Sequence, residues 1–308
     1  MVEKKRSVGK IIGITILCIF ILFLFSGACF VFGLITGSVD SSRYISGESI
    51  YEIRLEGVIS ASKYSGLFGE ASVTPEEIIE QLKIAQENSN VKAILIRVNS
   101  PGGSAAASQE IYEELKKIEK PVVVSVSDIC ASGAYYVACA ADKIVANRSS
   151  SVGSIGVIMQ ITNLEELYEK IGIKYTTIKQ GKYKDVGSPD RPLTAEEKKM
   201  LEEQTKKIYQ QFISDVAESR GMNIDKVREL ATGWVFIGSE AIKLGLIDEI
   251  GTYRDAIKLS AELGGIVGEP NIISKEEASI WDLILKYYLG LISGKILNLQ
   301  HSYYPVFK

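Results

Sequence analysis

Hydrophobic positions fall along this chain in three rhythms. From Ile11 to Val39 they run with no charged residue, "IIGITILCIFILFLFSGACFVFGLITGSV". That is longer than the roughly 20 apolar residues that cross a bilayer core. At 51–59, "YEIRLEGVI" alternates, which predicts a strand with one face buried. "VKAILIRVN" (91–99) and "PVVVSVSD" (121–128) are nearly continuous apolar runs, the pattern of strands covered on both faces. "KIVANR" (143–148) reads as a short strand, and "IKYTTIKQG" (173–181) as another. Helical spacing appears between these runs. Thr74, Pro75 and Glu77 supply an N-cap, a first-turn proline and a capping-box glutamate, with Ile78, Leu82 and Ala85 following on one face. "SPGGS" (100–104) turns into a helix bearing Ile111, Leu115 and Ile118, and a further helix opens near Ser132. "NLEELYEKIG" (163–172) is a helix closed by Gly172. A second capping box, Thr194 with Glu197, opens a long amphipathic helix that runs to about Arg220. "NIDKVRELA" is one more helix, and "GWVFIGSEAIKLGLIDEIG" reads as strand, helix and short strand. Alternating strands and helices place the fold in the α/β class.

The same pattern sets the expected organisation. Lys4, Lys5, Arg6 and Lys10 precede the long apolar run. The positive-inside tendency keeps such an N-terminus in the cytoplasm and puts the rest of the chain outside. Cleaved signal peptides carry shorter apolar cores, roughly 7–15 residues, so the run reads as a retained single-pass anchor. The expected division is a basic cytoplasmic N-terminus (1–10), a transmembrane anchor (11–37), a polar linker (38–49), an extracytoplasmic domain (50–270) and an apolar C-terminal extension (271–308). In that extension, "IWDLILKYYLGLISGKILNLQ" is interrupted by Lys286 and Lys295 and suits an interfacial or packing helix better than a second span.

Composition removes several function classes. Charged residues are 24% of the chain and the net charge is −3, which gives no electrostatic reason to expect nucleic acid. Of four cysteines, Cys18 and Cys29 lie in the apolar run, and Cys130 and Cys139 read as small packing residues, so no disulfide framework is expected. The single histidine, His301, rules out an HExxH metal site and makes a Ser-His-Asp triad improbable, since it stands in an apolar tail. There is no phosphate-binding GxxxxGKS/T loop, and "GSIGV" and "PGGS" lack dinucleotide-binding spacing. No cofactor or metal is expected.

What remains is "SDICASGAYYVACAAD" (127–142). Ser132 follows a strand and opens a helix, where backbone N–H groups stay unpaired. Gly102 and Gly103, after the preceding strand, allow the backbone to approach a ligand closely. A Gly-Gly amide with the amide of Gly133 would make a two-donor oxyanion hole. Without histidine the base must be lysine, a carboxylate or tyrosine. The long loop "IKQGKYKDVGSPDRPLT" (178–194) offers Lys179, Lys182 and Lys184, and spacing alone does not choose among them.

In order, "RVNSPGGS", "DICASGAYYVACAADKIVA", "VGSIGVI" and "GKYKDVGSPDRPLT" closely resemble the bacterial signal peptide peptidase A family over residues 50–255. The resemblance implies a ClpP/crotonase-like fold of repeated β-β-α units and a membrane-anchored Ser/Lys-dyad endopeptidase of the short, single-repeat type. It assigns Ser132 as nucleophile, Lys184 as general base and Ser154 as the serine that orients the lysine. It also assigns Gly102, Gly103 and Gly133 to the oxyanion hole. It implies homo-oligomeric rings with dyads shared between subunits, and as substrates the apolar cores of signal peptides left in the membrane. Two other readings compete: a membrane scaffold or regulator that binds partner proteins, and a crotonase-type acyl-CoA enzyme, against which the anchor counts.

Overall fold

A computed structural model describes residues 47–63 and 72–275. The expected anchor and most of the linker lie outside the described residues, as does the tail from 276. Among the described residues no helix is long and apolar enough to cross a membrane.

The predicted α/β class is observed. Strands β1 (Ser49–Ile59), β2 (Ser72–Val73), β3 (Val91–Gly103), β4 (Val122–Ala131), β5 (Lys143–Ala146) and β8 (Glu249–Ile250) form one path through the sheet, in the order β2-β1-β3-β4-β5-β8. The pairings along this path are parallel. β9 (Asn271–Ser274) adds to β1 beside residues 49–52, so the sheet includes residues beyond 270. β4 changes partner along its length. It pairs with β5 over Val123–Val126, then with β6 (Ser151–Gly153) over Ile129–Ala131. β6 in turn carries the antiparallel β7 (Val235–Ile237). That second half of β4 ends at Ser132.

The helices follow their sequence signals. α1 (Pro75–Glu87) and α5 (Ala195–Ser219) both open with the predicted capping boxes, Thr74 with Glu77 and Thr194 with Glu197. Between them lie α2 (Ala105–Leu115), the short α3 (Gly133–Ala138) and α4 (Glu165–Ile171), which Gly172 closes at a left-handed φ of 77°. α6 (Ile224–Leu230), α7 (Gly238–Leu244) and α8 (Tyr253–Leu263) complete the described elements. β3 is covered on both faces, as its continuous apolar run requires. Ile94, Ile96 and Val98 pack into the larger core with α1 and α2, while Ala93 and Leu95 join a smaller one against Ala256 and Ala261 of α8.

Two segments differ from expectation. "SPGG" is not a turn: β3 continues through it, and Gly102 and Gly103 pair with Val58 and Ile59 of β1. Residues 173–181 do not form the predicted strand. All of them are exposed and none has a strand partner among the described residues, so no ladder is described there to hold their backbone groups.

Candidate active site

Strand register brings two of the predicted serines together. Ile129, Cys130 and Ala131 of β4 stand opposite Ser151, Val152 and Gly153 of β6, so Ser132 and Ser154 leave the sheet side by side. Both have positive φ, 52° and 51°, and among the described residues they are the only non-glycine residues that do. Such a backbone costs on the order of 1–3 kcal/mol and persists only where its surroundings over-determine it. Here they do. The Ser132 amide donates to the Gly153 carbonyl at 2.8 Å, and the Ser132 carbonyl accepts from Tyr136 at 2.9 Å. The Ser154 amide donates to the Trp234 carbonyl at 2.8 Å, and its hydroxyl donates to the Gly233 carbonyl at 3.2 Å. The Ser132 hydroxyl makes no capping bond to α3, so its oxygen is not committed to the helix it precedes.

The three predicted glycines meet at the same point. A Cβ on Gly102 would lie 2.6 Å from the Gly133 nitrogen, and one on Gly133 would lie 3.3 Å from the Gly103 nitrogen. Only residues without side chains pack this closely. Their roles differ, however. Gly103 and Gly133 line the cavity beside Ser132. The Gly102 amide instead donates to Ser100 Oγ at 3.1 Å, and Gly102 does not line that cavity. Gly133 is the first helical residue, where an amide has no intrahelical acceptor.

The cavity holds about 1000 Å³, and its apolar walls include Val157, Ile158, Tyr136 and Phe212. Tyr136 stacks on Tyr112 at 4.7 Å between ring centroids and meets Phe212 edge-on at 5.0 Å. Its hydroxyl donates to Asp215 on α5. Burial, and then that bond, push the phenol far above its ordinary range, so Tyr136 stays protonated.

The loop before α5 separates the three lysines that the sequence left open. Lys179 Nζ donates to Asp185 Oδ1 at 2.5 Å, and Lys182 Nζ donates to both Glu196 oxygens at 2.8 and 2.6 Å. Lys184 is exposed, and among the described residues its ammonium has neither an ion-pair nor a hydrogen-bond acceptor. Lys184 does not line the cavity that holds Ser132. Its neighbour Asp185 is bound by Arg191, which also grips Glu197 in the first turn of α5. The other end of α5 carries Phe212 and Asp215 against Tyr136. From Glu197 to Phe212 the helix rises about 22 Å. The structure therefore gathers Ser132, Ser154, Gly103 and Gly133 on one cavity, and leaves Lys184 outside it.

Sequence reasoning missed Lys206 of α5, which lines the cavity, and Ser108 of α2, whose hydroxyl fills the space over Gly133. It also missed Arg191. Helical spacing could have placed Lys206 on the face of Phe212, but nothing in the sequence turns that face toward Ser132.

Comparisons with known proteins identify the family. The model of peptidase family S49 matches residues 114–266. A putative protease of Methanocaldococcus jannaschii is 38% identical over 294 residues, 93% of both chains. A putative signal peptide peptidase of Enterococcus faecium is 38% identical over 69% of this chain and 62% of its own length. A chloroplastic serine protease of Arabidopsis thaliana is 40% identical over 71% of this chain and 33% of its own. Similarity of this extent, running through the strained serine and its glycines, decides the matter: the chain belongs to peptidase family S49 and is a serine peptidase.

Proposed function

We propose that the chain is a membrane-anchored endopeptidase of ClpP/crotonase-like fold that cuts apolar peptides, released signal peptides among them. Ser132 is the nucleophile and Lys184 the general base. The observation that carries this is the pair of strained serines beside the Gly103 and Gly133 amides, at the mouth of a cavity of about 1000 Å³. The uncharged run from Ile11 to Val39 supports the anchor, and the name of the Enterococcus faecium relative supports the substrate class.

In this reading Lys184 serves the Ser132 of a neighbouring copy, within a homo-oligomeric ring. Three features support it. Lys184 has no acceptor of its own among the described residues. The stiff α5 lines the cavity only from Glu202 onward and carries the loop on its first turn, beyond that wall. The connecting segment also exposes apolar side chains, Ile158 at 85% and Ile178 at 92%, which a second copy would cover. A lysine acts as a base only as the free amine, which a water-poor contact favours. Ser154 Oγ would accept from that amine and aim it. The amine takes the Ser132 proton, and the Ser132 oxygen attacks the peptide carbonyl. The Gly103 and Gly133 amides hold the oxyanion. The protonated lysine then gives its proton to the leaving amine, and the free amine activates the water that cleaves the acyl-enzyme.

Lys206 lines the cavity within the same chain and is the alternative base. The test uses the full chain in detergent with a fluorogenic apolar peptide. Ser132→Ala and Lys184→Ala should be inactive, and Lys182→Ala and Lys206→Ala active. Mixing the two inactive variants should restore part of the turnover, since some sites would then combine an intact serine and an intact lysine. An active Lys184→Ala with an inactive Lys206→Ala would move the base to α5. An active Ser132→Ala would leave a scaffold or regulatory role. The acyl-CoA reading has no support among the relatives.

A further inference from the structure

We propose that Arg191 is a positioning residue, which fixes the turn carrying Lys184 to the first turn of α5 by gripping Asp185 and Glu197 at once. This rests on reading Lys184 as the base.

The turn is held chiefly through Asp185, to which Lys179 also donates at 2.5 Å while reaching the Lys182 carbonyl at 3.2 Å. Gly181 and Gly187 bracket it at φ of 96° and 82°, and a Cβ at Gly181 would touch nothing within 4 Å. Its internal bonds are single turn contacts, from Lys184 N–H to the Gly181 carbonyl at 3.3 Å and from Val186 N–H to the Tyr183 carbonyl at 3.2 Å. The Lys182–Glu196 pair is mostly exposed on both sides, and exposed pairs hold little.

Arg191 differs. Its Nε donates to Asp185 Oδ2 at 3.0 Å, and one terminal nitrogen to Asp185 Oδ1 at 2.9 Å and the Asp185 carbonyl at 3.3 Å. The same nitrogen reaches Glu197 Oε1 at 2.7 Å, and the other donates to Glu197 Oε2 at 2.9 Å and the Pro192 carbonyl at 3.0 Å. Glu197 is itself fixed, 4% exposed and accepting from the Thr194 N–H at 2.8 Å. The planar guanidinium thus spans two carboxylates, one in the helix and one beside Lys184. A lysine, a point charge on a flexible stem, cannot hold both in this way. The clamp, with Lys179, takes up Asp185 and leaves the exposed Lys184 ammonium without an acceptor among the described residues, in a turn anchored to α5.

The test measures kcat and KM separately for the full chain in detergent. The variants are Arg191→Lys, Asp185→Asn, Lys184→Ala and Glu218→Gln, the last breaking an exposed pair at the far end of α5. The expected result is a fall in kcat on the order of 10- to 100-fold for Arg191→Lys and Asp185→Asn. KM of Asp185→Asn should stay at the wild-type value, and Glu218→Gln should keep its kcat, as should Lys179→Met, which removes the other donor to Asp185 and leaves the clamp intact. If Arg191→Lys fails to fold, Asp185→Asn decides, because it keeps the Arg191–Glu197 grip. An inactive Lys184→Ala beside wild-type kcat in Asp185→Asn overturns the clamp and leaves the dyad standing. So does an equal fall in Glu218→Gln, which would mean general loosening of α5. An active Lys184→Ala removes the dyad reading, and the clamp's purpose with it.

Discussion

Gly133→Ala places one methyl group where the site has no room. An added Cβ would lie 2.2 Å from Ser108 Oγ and 3.1 Å from Ser108 Cβ. The backbone does not forbid alanine, since Gly133 is not among the positive-φ glycines and opens a helix. The clash alone sets the cost. Ser108 is fully buried and its hydroxyl donates to the Ser104 carbonyl at 2.9 Å. If the hydroxyl rotates away, that bond is lost, worth about 1 kcal/mol net. The contact between the two Cβ atoms remains too close, and such overpacking costs about 1–3 kcal/mol. On the proposed reading, any relief that moves Gly133 instead carries its amide away from the oxyanion and should lower kcat about 10²–10³-fold. The double variant with Ser108→Ala removes the 2.2 Å clash and should recover part of both losses, whereas Ser108→Ala alone costs about 1 kcal/mol. Urea unfolding and peptide turnover on the four proteins give the cycle. Additive effects, or wild-type turnover in Gly133→Ala, would refute the claim that these two residues share one space above the nucleophile.

Two further outcomes follow from the same geometry. Gly102→Ala, at φ 94° with its Cβ 2.6 Å from the Gly133 nitrogen, should abolish peptide turnover while the chain still expresses, as measured by the same assay. Glu197 should shape the acid limb of stability. Arg191, and then the Thr194 N–H, pull its carboxyl from the ordinary 4.5 down to about 2. A depressed carboxyl stabilises the fold above its unfolded value and loses that contribution as pH falls through the folded one. Wild type should therefore exceed Glu197→Gln in urea stability at neutral pH, with the gap closing between about pH 4.5 and 2.

Much of this was legible in the sequence because its signals are local. Capping boxes at Thr74 and Thr194 specify helix starts within four residues, and continuous apolar runs announce a doubly covered sheet. Where a signal needed a distant partner, local reading failed. "SPGG" looks like a turn until Val58 and Ile59 pair with it, and "IKYTTIKQG" looks like a strand but has no strand neighbour among the described residues. The serines were visible as residues, but their shared strain depends on β6 lying against the end of β4, 20 residues away in sequence. Lys184 came from resemblance. What separates it from Lys179 and Lys182 is that both of those are already bound.

On the proposed reading, the strained Ser132 and a Lys184 that lies outside its cavity have one explanation. Ser132 is held by bonds inside its own chain, through Gly153 and Tyr136, so the positive φ that exposes its oxygen does not depend on a partner. Lys184 is held by Arg191 to a helix whose other end supports the cavity wall. A single chain would thus carry both halves of a site with a stiff spacer keeping them apart. On the proposed reading, assembly brings the amine of one copy to the serine of the next and supplies the dry contact that a lysine base needs. An unassembled chain would then be unable to hydrolyse peptides before it reached its neighbours.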